Sequence, residues 1–255
     1  MSALMITRNN TTLILTLANP SEQQILSHDM VQNALHALSN AERDDSVRVI
    51  IITGAGKDFC RGRERSNLLD ASSSKDIANE LLVLNTLLET VHTFPKPVIA
   101  AVEGIAQDVG FALALACDFI IAAQSAQFLT SHVKLGLPPE AGISWFLTRF
   151  LPRQLTSELL FESKPILAAR LQQFGVVNQL VADGSAHTQA LRYANRLANL
   201  PPFALERVKG LINEAHSTTL VQQFEAERHA FMECLHHHEA QEGIEAYLAN
   251  KKPRF

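Results

Sequence analysis

The chain has few cysteines and no long uninterrupted apolar run. Its three cysteines, Cys60, Cys117 and Cys234, lie far apart, which argues against a disulfide framework and against a clustered zinc site. No apolar run reaches the roughly 18–20 residues that a membrane span requires. The first residues, MSALMITRNN, resemble neither a basic signal sequence nor an arginine-rich presequence. We therefore expect a cytoplasmic protein with reduced thiols and no contact with a membrane.

Charge is also scarce and nearly balanced. Charged residues make up 19% of the chain and the net charge is −4, so nothing favours a nucleic acid or an anionic membrane surface as a partner. Apolar residues make up 47%, which is ordinary for a protein with a sizeable core. The 255 residues suit one large α/β domain, or one domain with a small helical appendage.

Apolar periodicity predicts alternating strands and helices over the first two-thirds of the chain. The run Val47–Thr53 is apolar and rich in β-branched residues, as in a strand covered on both faces. This alternation implies parallel strands joined by helical crossovers. The predicted strands are 3–8, 12–18, 47–53, 98–102 and 118–123, and the predicted helices are 28–43, 76–93 and 109–117.

The last third is predicted to be almost entirely helical, and a short strand at Val176–Leu180 is its only interruption. The apolar faces of these helices must pack on the main domain or on a neighbouring subunit. His236–His238 lie in a helical stretch where adjacent side chains point to different faces, so no metal site is predicted there. A long loop is predicted at 128–142, and the helices at 143–150, 153–161, 167–174, 186–199, 203–215, 219–237 and 240–249.

Four segments, in the same order along the chain, resemble the crotonase (enoyl-CoA hydratase/isomerase) superfamily. The resemblance covers nearly the whole chain, and four collinear motifs make a chance match unlikely. The segments are IIITGAGKDFCRG at 50–62, KPVIAAVEGIAQDVGFALALACD at 96–118, FLTSHVKLGLPPEAG at 128–142 and the ending EGIEAYLANKKPRF.

The resemblance implies an α/β fold, a crotonase-like spiral of ββα units with a helical C-terminal region. It implies an acyl-CoA thioester substrate, with coenzyme A entering as part of the substrate and no permanently bound cofactor or metal. We expect residues 1–195 to form the acyl-CoA-binding core. Residues 196–255 would form a helical region that closes the pocket and joins subunits into a homotrimer or a hexamer (a dimer of trimers).

Chemistry of this superfamily requires a thioester carbonyl that carries developing negative charge as an enolate. Two backbone N–H groups fixed in advance receive that charge, and each such donor contributes roughly 10²–10³ in rate. Carried over by position, the donors are the N–H groups of Arg63 and Val109. Val109 replaces a family glycine, which a backbone donor tolerates where the side chain fits. The N-terminus of the helix beginning near Val109 would add dipole support.

The two glutamates that activate water in hydratases correspond to Ala112 and His132, so the usual hydratase pair is lacking. Glu140 remains in the sequence LPPEAG, which resembles the motif of Δ3,Δ2-enoyl-CoA isomerases. In those enzymes one carboxylate moves a proton from C2 to C4 of the acyl chain. We expect Phe111, Leu135 and Trp145 to line a pocket that raises the pKa of Glu140 by desolvation. Alternatively, Glu140 is a solvated loop carboxylate or a helix cap.

Two other functions remain open at this point. A different acyl-CoA enzyme, such as a hydrolase, a decarboxylase or a hydratase, would use His132 or Asp108 as its acid–base group. A non-catalytic acyl-CoA-binding protein would retain the fold without the chemistry. His132 could equally be a satisfied loop histidine, and Asp108 a polar turn residue.

The resemblance also predicts contacts with coenzyme A, in the loop after the third strand and in the C-terminal tail. The arginines of that loop could bind the 3′-phosphate or a substrate carboxylate, or they could pair with nearby acids. The predicted contacts are Cys60, Arg61, Gly62, Arg65, Lys251 and Lys252.

Overall fold

Two β-sheets and ten α-helices make up the computed structural model, which describes residues 3–18, 24–65 and 74–255. The strands are β1 Ala3–Asn9, β2 Thr12–Ala18, β3 Val49–Gly54, β4 Val98–Val102, β5 Ile105–Gln107, β6 Phe119–Ala123, β7 Gln127–Leu129, β8 Ile166–Leu167 and β9 Gln179–Val181. The helices are α1 His28–Arg43, α2 Ser74–Thr93, α3 Val109–Ala116, α4 Ile143–Phe150, α5 Arg153–Glu162, α6 Ala168–Gln173, α7 Ala186–Leu197, α8 Pro202–Glu214, α9 Leu220–Leu235 and α10 His238–Leu248.

The larger sheet has six strands in the order β1-β2-β3-β4-β6-β9. β1 and β2 form an antiparallel hairpin, and the other neighbours are parallel, as the alternation of strands and helices predicts. Asn10 takes a positive φ of 52° in the hairpin turn, a conformation that asparagine tolerates. Every residue of β4 is buried, because helices cover both faces of the sheet.

Helix α3 lies at the centre of the molecule, and all of its residues are buried. Its sequence, VGFALALA, contains no charged or hydrogen-bonding side chain, so every face can pack in the core. On the opposite face of the large sheet, Ala186, Ala190 and Ala194 form a stripe along α7 that packs on the strands.

The smaller sheet, in the order β5-β7-β8, was not predicted from the sequence. Part of β7 and a 3₁₀ turn at His132–Leu135 lie in the stretch predicted as a loop at 128–142. The prediction of a single interruption in the helical last third is wrong, because β8 adds a second strand. The strand predicted at Val176–Leu180 is β9, which spans only Gln179–Val181. Strands of two or three residues are too short to produce a periodic apolar pattern.

Helices α8, α9 and α10 contact the rest of the chain chiefly through polar groups. Lys209 donates to Asp118 over 2.8 Å, and the Asn213 amide donates to the His92 carbonyl over 3.0 Å. α9 has no buried residue, and its apolar side chains, such as Phe224 and Phe231, are exposed. The division of the chain at residues 195/196 stays a prediction. No helix in the described ranges is long and apolar enough to cross a membrane.

Candidate active site

The loop after β3 is fixed against the start of α3. Cys60 pairs with Ala106 in a parallel β-bridge, and its carbonyl accepts a hydrogen bond from the Gln107 N–H over 2.8 Å. A Cβ atom on Gly110 would lie 2.2 Å from the Cys60 carbonyl oxygen, a distance that no real Cβ contact tolerates. Glycine at position 110 therefore permits the close approach of this loop to the first turn of α3.

The two predicted backbone donors, Arg63 and Val109, directly follow Gly62 and Asp108, and these two preceding residues lie side by side in the structure. A Cβ on Gly62 would lie 3.6 Å from the Asp108 Cβ, and Gly62 has a φ of 102° that favours glycine. Val109 is the first residue of α3, so its N–H has no acceptor within the helix. Within the described ranges neither N–H donates a hydrogen bond to the protein. The oxyanion role of the two groups stays a prediction.

Asp108 is a buried charged residue at the N-terminal end of α3. Its φ and ψ of 51° and −111° lie outside the regions that non-glycine residues favour, which costs of the order of 1–3 kcal/mol. Its carboxylate accepts from the Ser131 N–H and the Ser131 hydroxyl over 2.6 Å each, and from Arg65 over 2.9 Å. Asp108 is therefore not a solvated turn residue.

His132 lies between two carboxylates at the start of the 3₁₀ turn. Its Nδ1 is 3.2 Å from Asp108 Oδ1, and its Nε2 is 3.4 Å from Glu140 Oε1. Only 4% of its side chain is exposed. Neither nitrogen has a partner in hydrogen-bonding geometry among the described residues. The three side chains form a buried row of carboxylate, imidazole and carboxylate.

Glu140 points into this site and is neither a solvated loop residue nor a helix cap. Its side chain is 14% exposed, and Oε2 accepts a hydrogen bond from Arg63 Nε over 3.0 Å. Helix α4 begins after Gly142, and no side chain caps it. The two carboxylate oxygens of Glu140 therefore face different partners, Oε2 facing Arg63 and Oε1 facing His132.

The pKa of Glu140 is lowered, so the predicted rise is wrong. Burial by itself raises the pKa of this carboxyl, but the neighbouring His132 imidazole and the Arg63 guanidinium outweigh burial. The apolar side chains expected around Glu140 have other surroundings. Phe111 packs on Phe128 in the core, Trp145 packs on His92, and Leu135 is half exposed. The sequence predicted apolar neighbours for Glu140 and did not predict the Arg63 guanidinium beside it.

The residues predicted to contact coenzyme A fall into two separate groups. Near the site, Cys60 is buried, and burial raises the pKa of its thiol to about 11. Arg61 pairs with Asp58 over 2.6 Å, while Arg65 bonds to Asp108 and to the Ser131 hydroxyl.

In the tail, Lys251 and Lys252 are exposed and line a cavity with Asn199 and Glu242. No hydrogen bond or ion pair joins either lysine to residues 60–65 in the described part of the chain. The coenzyme A contacts stay a prediction. The sequence did not predict Ser131 and Asp58 as site residues, because each meets its arginine partner only once the chain has folded.

A further cluster of possible ligand atoms lies at the end of the histidine run His236–His238. Ligand atoms of His237, His238 and Glu239 lie within 4.8 Å of one another, which brings together side chains that were expected to diverge. Two of the three already have roles at helix ends. The Glu239 carboxylate accepts the Phe203 N–H at the start of α8, and His237 accepts the Glu239 N–H at the start of α10.

Comparisons with known proteins identify the family of this chain. The enoyl-CoA hydratase/isomerase family model matches residues 7–255. The 1,2-epoxyphenylacetyl-CoA isomerase of Escherichia coli is 33% identical over 95% of this chain and 94% of its own length. The 2,3-dehydroadipyl-CoA hydratase of the same organism is 30% identical over 100% and 99%.

The fold agrees as well. A crystal structure of an enoyl-CoA hydratase from Polaromonas sp. JS666 superposes with a TM-score of 0.95, at 42% identity and 98% coverage of each chain. The α/β crotonase fold with a helical C-terminal region, which the motifs imply, is thereby confirmed. The chain belongs to the enoyl-CoA hydratase/isomerase family.

Proposed function

We propose that this protein is a Δ3,Δ2-enoyl-CoA isomerase that uses Glu140 as its single carboxylate base. The observation that carries the proposal is the position of the Glu140 side chain. It is only 14% exposed and lies beside Arg63, whose own backbone N–H is one of the two proposed oxyanion donors. The base and the oxyanion donors therefore belong to one site.

The reaction follows from these positions. The thioester carbonyl of a 3-enoyl-CoA accepts hydrogen bonds from the Arg63 and Val109 N–H groups, which stabilise the enolate form of the substrate. Glu140 removes a proton from C2, and the electrons spread over the dienolate. The same carboxylate returns the proton to C4. One base is enough because this 1,3-shift removes and replaces a single proton.

The lowered pKa of Glu140 has two consequences for this mechanism. The carboxyl is ionised at neutral pH and is therefore ready to accept a proton. It is also a weaker base than an isolated buried carboxylate, so more of the acidity of C2 must come from the oxyanion donors. The backbone donors, in the loop after β3 and at the start of α3, therefore have to lie close to the base in the segment before α4.

The relatives support an acyl-CoA thioester as the substrate class. Two of them are named for reactions of acyl-CoA compounds, one an isomerase and the other a hydratase. Assembly into trimers, or into hexamers built from two trimers, is part of the proposal. The exposed apolar side chains of α9 support it, because a surface of that kind suits burial against a second copy of the chain.

The test is turnover of a 3-enoyl-CoA to its 2-enoyl isomer by the wild type and by Glu140→Gln. Glutamine keeps the shape of the side chain and cannot accept the proton, so we expect the rate to fall about 10²–10⁴-fold. Glu158→Gln, which changes an exposed carboxylate on α5, is the matched control and should leave the rate unchanged. Wild-type turnover in Glu140→Gln would refute the assignment of the base.

A further inference from the structure

The histidine run lies at a junction between two helices and not inside one helix. His236 is the C-cap of α9, His237 is the N-cap of α10, and His238 is the first residue of α10. The backbone changes from a φ and ψ of −88° and −3° at His236 to an extended −85° and 146° at His237. Side chains that diverge on a continuous helix can therefore converge here, and ligand atoms of His237, His238 and Glu239 lie within 4.8 Å of one another.

Two of these three side chains are held in place by Phe203, at the start of α8. The His237 ring stacks on the Phe203 ring, with the ring centroids 4.3 Å apart and the planes 11° from parallel. The Glu239 side chain is 9% exposed, and both of its carboxylate oxygens accept the Phe203 N–H, over 3.2 and 3.3 Å. An ionised carboxylate has about four acceptor positions, so this one shared N–H leaves Glu239 able to bind a cation as well.

The distances between the ligand atoms are close to those around a metal ion. Zinc binds imidazole nitrogen and carboxylate oxygen at about 2.0–2.2 Å, which places the ligand atoms of a tetrahedral site roughly 3.3–3.6 Å apart. His237 Nδ1 is 3.9 Å from Glu239 Oε2. This nitrogen accepts the Glu239 N–H over a long 3.4 Å, a weak bond that a metal ion can replace. His238 is exposed, so its ring can turn to complete the set.

The charge around the cluster favours a cation. The three side chains line a cavity of about 480 Å³, which has five carboxylates and three basic side chains in its wall. The N-termini of α8 and α10 carry partial positive charge, and the C-terminus of α9 and the excess of carboxylates offset it. The carboxylates are those of Glu42, Asp45, Glu206, Glu239 and Glu242.

We propose that His237, His238 and Glu239 bind a divalent transition-metal ion of the zinc class, which ties the starts of α8 and α10 to the end of α9. Two imidazoles and a carboxylate suit Zn²⁺ or Ni²⁺, whereas Mg²⁺ and Ca²⁺ prefer oxygen ligands alone. Three protein ligands leave the remaining coordination position to water from the adjoining cavity. These residues are separate from the candidate active site, so the inference does not depend on the proposed isomerase activity.

The experiment titrates Zn²⁺ into the purified full-length chain, made without an added histidine tag and freed of metal with a chelator, and follows the heat of binding. We expect one equivalent to bind per chain. His238→Gln and Glu239→Gln should each weaken binding by more than about 10–100-fold, the usual cost of losing only an outer partner of a metal ligand. Glutamine at position 239 keeps an acceptor for the Phe203 N–H.

His236→Gln is the matched control. It changes the neighbouring histidine of the same run, which is exposed and is not one of the three proposed ligands. The affinity for Zn²⁺ should therefore be retained. This control separates a defined site from general chelation by a row of exposed imidazoles.

Thermal unfolding provides a second measurement. An ion that binds only the folded chain should raise the Tm of the wild type by about 5–10 °C at a free Zn²⁺ concentration 100 times the Kd. The same concentration of Mg²⁺ should leave the Tm unchanged. The metal-free variants should unfold like the metal-free wild type, which shows that their losses of affinity are not losses of folding.

Three results would overturn the inference. The first is the absence of saturable binding of one equivalent of Zn²⁺ to the wild type. The second is equal weakening in His236→Gln and His238→Gln, which would make the histidine run an adventitious surface chelator. The third is unchanged affinity in Glu239→Gln, which would exclude the carboxylate as a ligand.

Discussion

The two ends of helix α3 carry aspartates with opposite surroundings. Asp108, at the N-terminal end, has a strained backbone, and its neighbour His132 has ring nitrogens without hydrogen-bond partners among the described residues. Asp118, at the C-terminal end, accepts the Val98 N–H over 2.7 Å and bonds to Lys209 over 2.8 Å.

The difference follows from the electrostatics of a helix. The N-terminus carries a partial positive charge, so an anion and a developing oxyanion are stabilised there, whereas the C-terminus repels an anion. Asp118 therefore depends on Lys209 as its counter-charge. Strain and unpaired groups at one end indicate a reactive site, and the ion pair at the other indicates a structural joint between the core and α8.

The largest effect on stability is expected at the structural end. Lys209→Met leaves the Asp118 carboxylate without its cation, which should lower the free energy of unfolding by about 2–4 kcal/mol, less than for a fully buried pair because the Asp118 side chain is 22% exposed. Urea unfolding measures this change. The double variant Lys209→Met with Asp118→Asn removes the unpaired charge and should recover part of the loss. A cost below about 1 kcal/mol would show that the pair behaves as an exposed ion pair.

A smaller effect on stability, with a loss of turnover, is expected at the reactive end. Gly110→Ala places a methyl group 2.2 Å from the Cys60 carbonyl oxygen, so the loop carrying Arg63 must move away from α3. We expect a loss of about 1–3 kcal/mol in stability together with slower isomerisation. Gly210→Ala, on the exposed face of α8 with no atom within 4 Å, is the control and should stabilise by up to about 1 kcal/mol. Full activity in Gly110→Ala would contradict the close approach.

The subtlest prediction concerns the pH dependence of isomerisation. The base form of Glu140 is lost as pH falls through its pKa, which lies below the ordinary value of 4.5. Arg63→Met keeps the backbone donor but removes the cation, so the pKa should rise and the acid limb of the rate profile should move to higher pH. Lys209→Met acts at the far end of α3 and should leave that limb in place. An unmoved limb in Arg63→Met would show that the ion pair does not set the pKa.

The same sign applies to stability. A carboxyl whose folded pKa lies below its unfolded value stabilises the protein above about pH 4.5 and loses that contribution as pH falls through the folded pKa. In Arg63→Met the pKa of Glu140 should lie closer to its unfolded value. The free energy of unfolding should therefore depend less on pH in the acid range than in the wild type. Unfolding curves over this pH range provide the measurement.

Local pattern was enough to predict the long elements of the fold. Helices α1 and α4 and strand β4 have the predicted bounds, because amphipathic helices give an apolar period and a strand buried on both faces gives an uninterrupted apolar run. The small sheet was not predictable in this way. Its pairing of Gln107 with Leu129 brings Asp108 beside Ser131 and His132, and two strands of three residues leave no periodic signal.

For the site, motif position identified the residues but not their partners. Asp108, His132 and Glu140 were all candidates from the sequence, and the structure brings them into one row. The ion pair between Arg63 and Glu140 joins positions 77 residues apart, which no local pattern reveals. The direction of the Glu140 pKa shift depends on that pair, so the sequence argument gave the wrong sign.

The most direct test of the central claim follows the proton itself. A 3-enoyl-CoA carrying deuterium at C2 is converted by the wild type, and the 2-enoyl product is examined for deuterium at C4. Because Glu140 is 14% exposed and His132 only 4%, the account predicts that label removed from C2 appears at C4. Product without deuterium at C4, or no product, would contradict transfer by a single buried carboxylate.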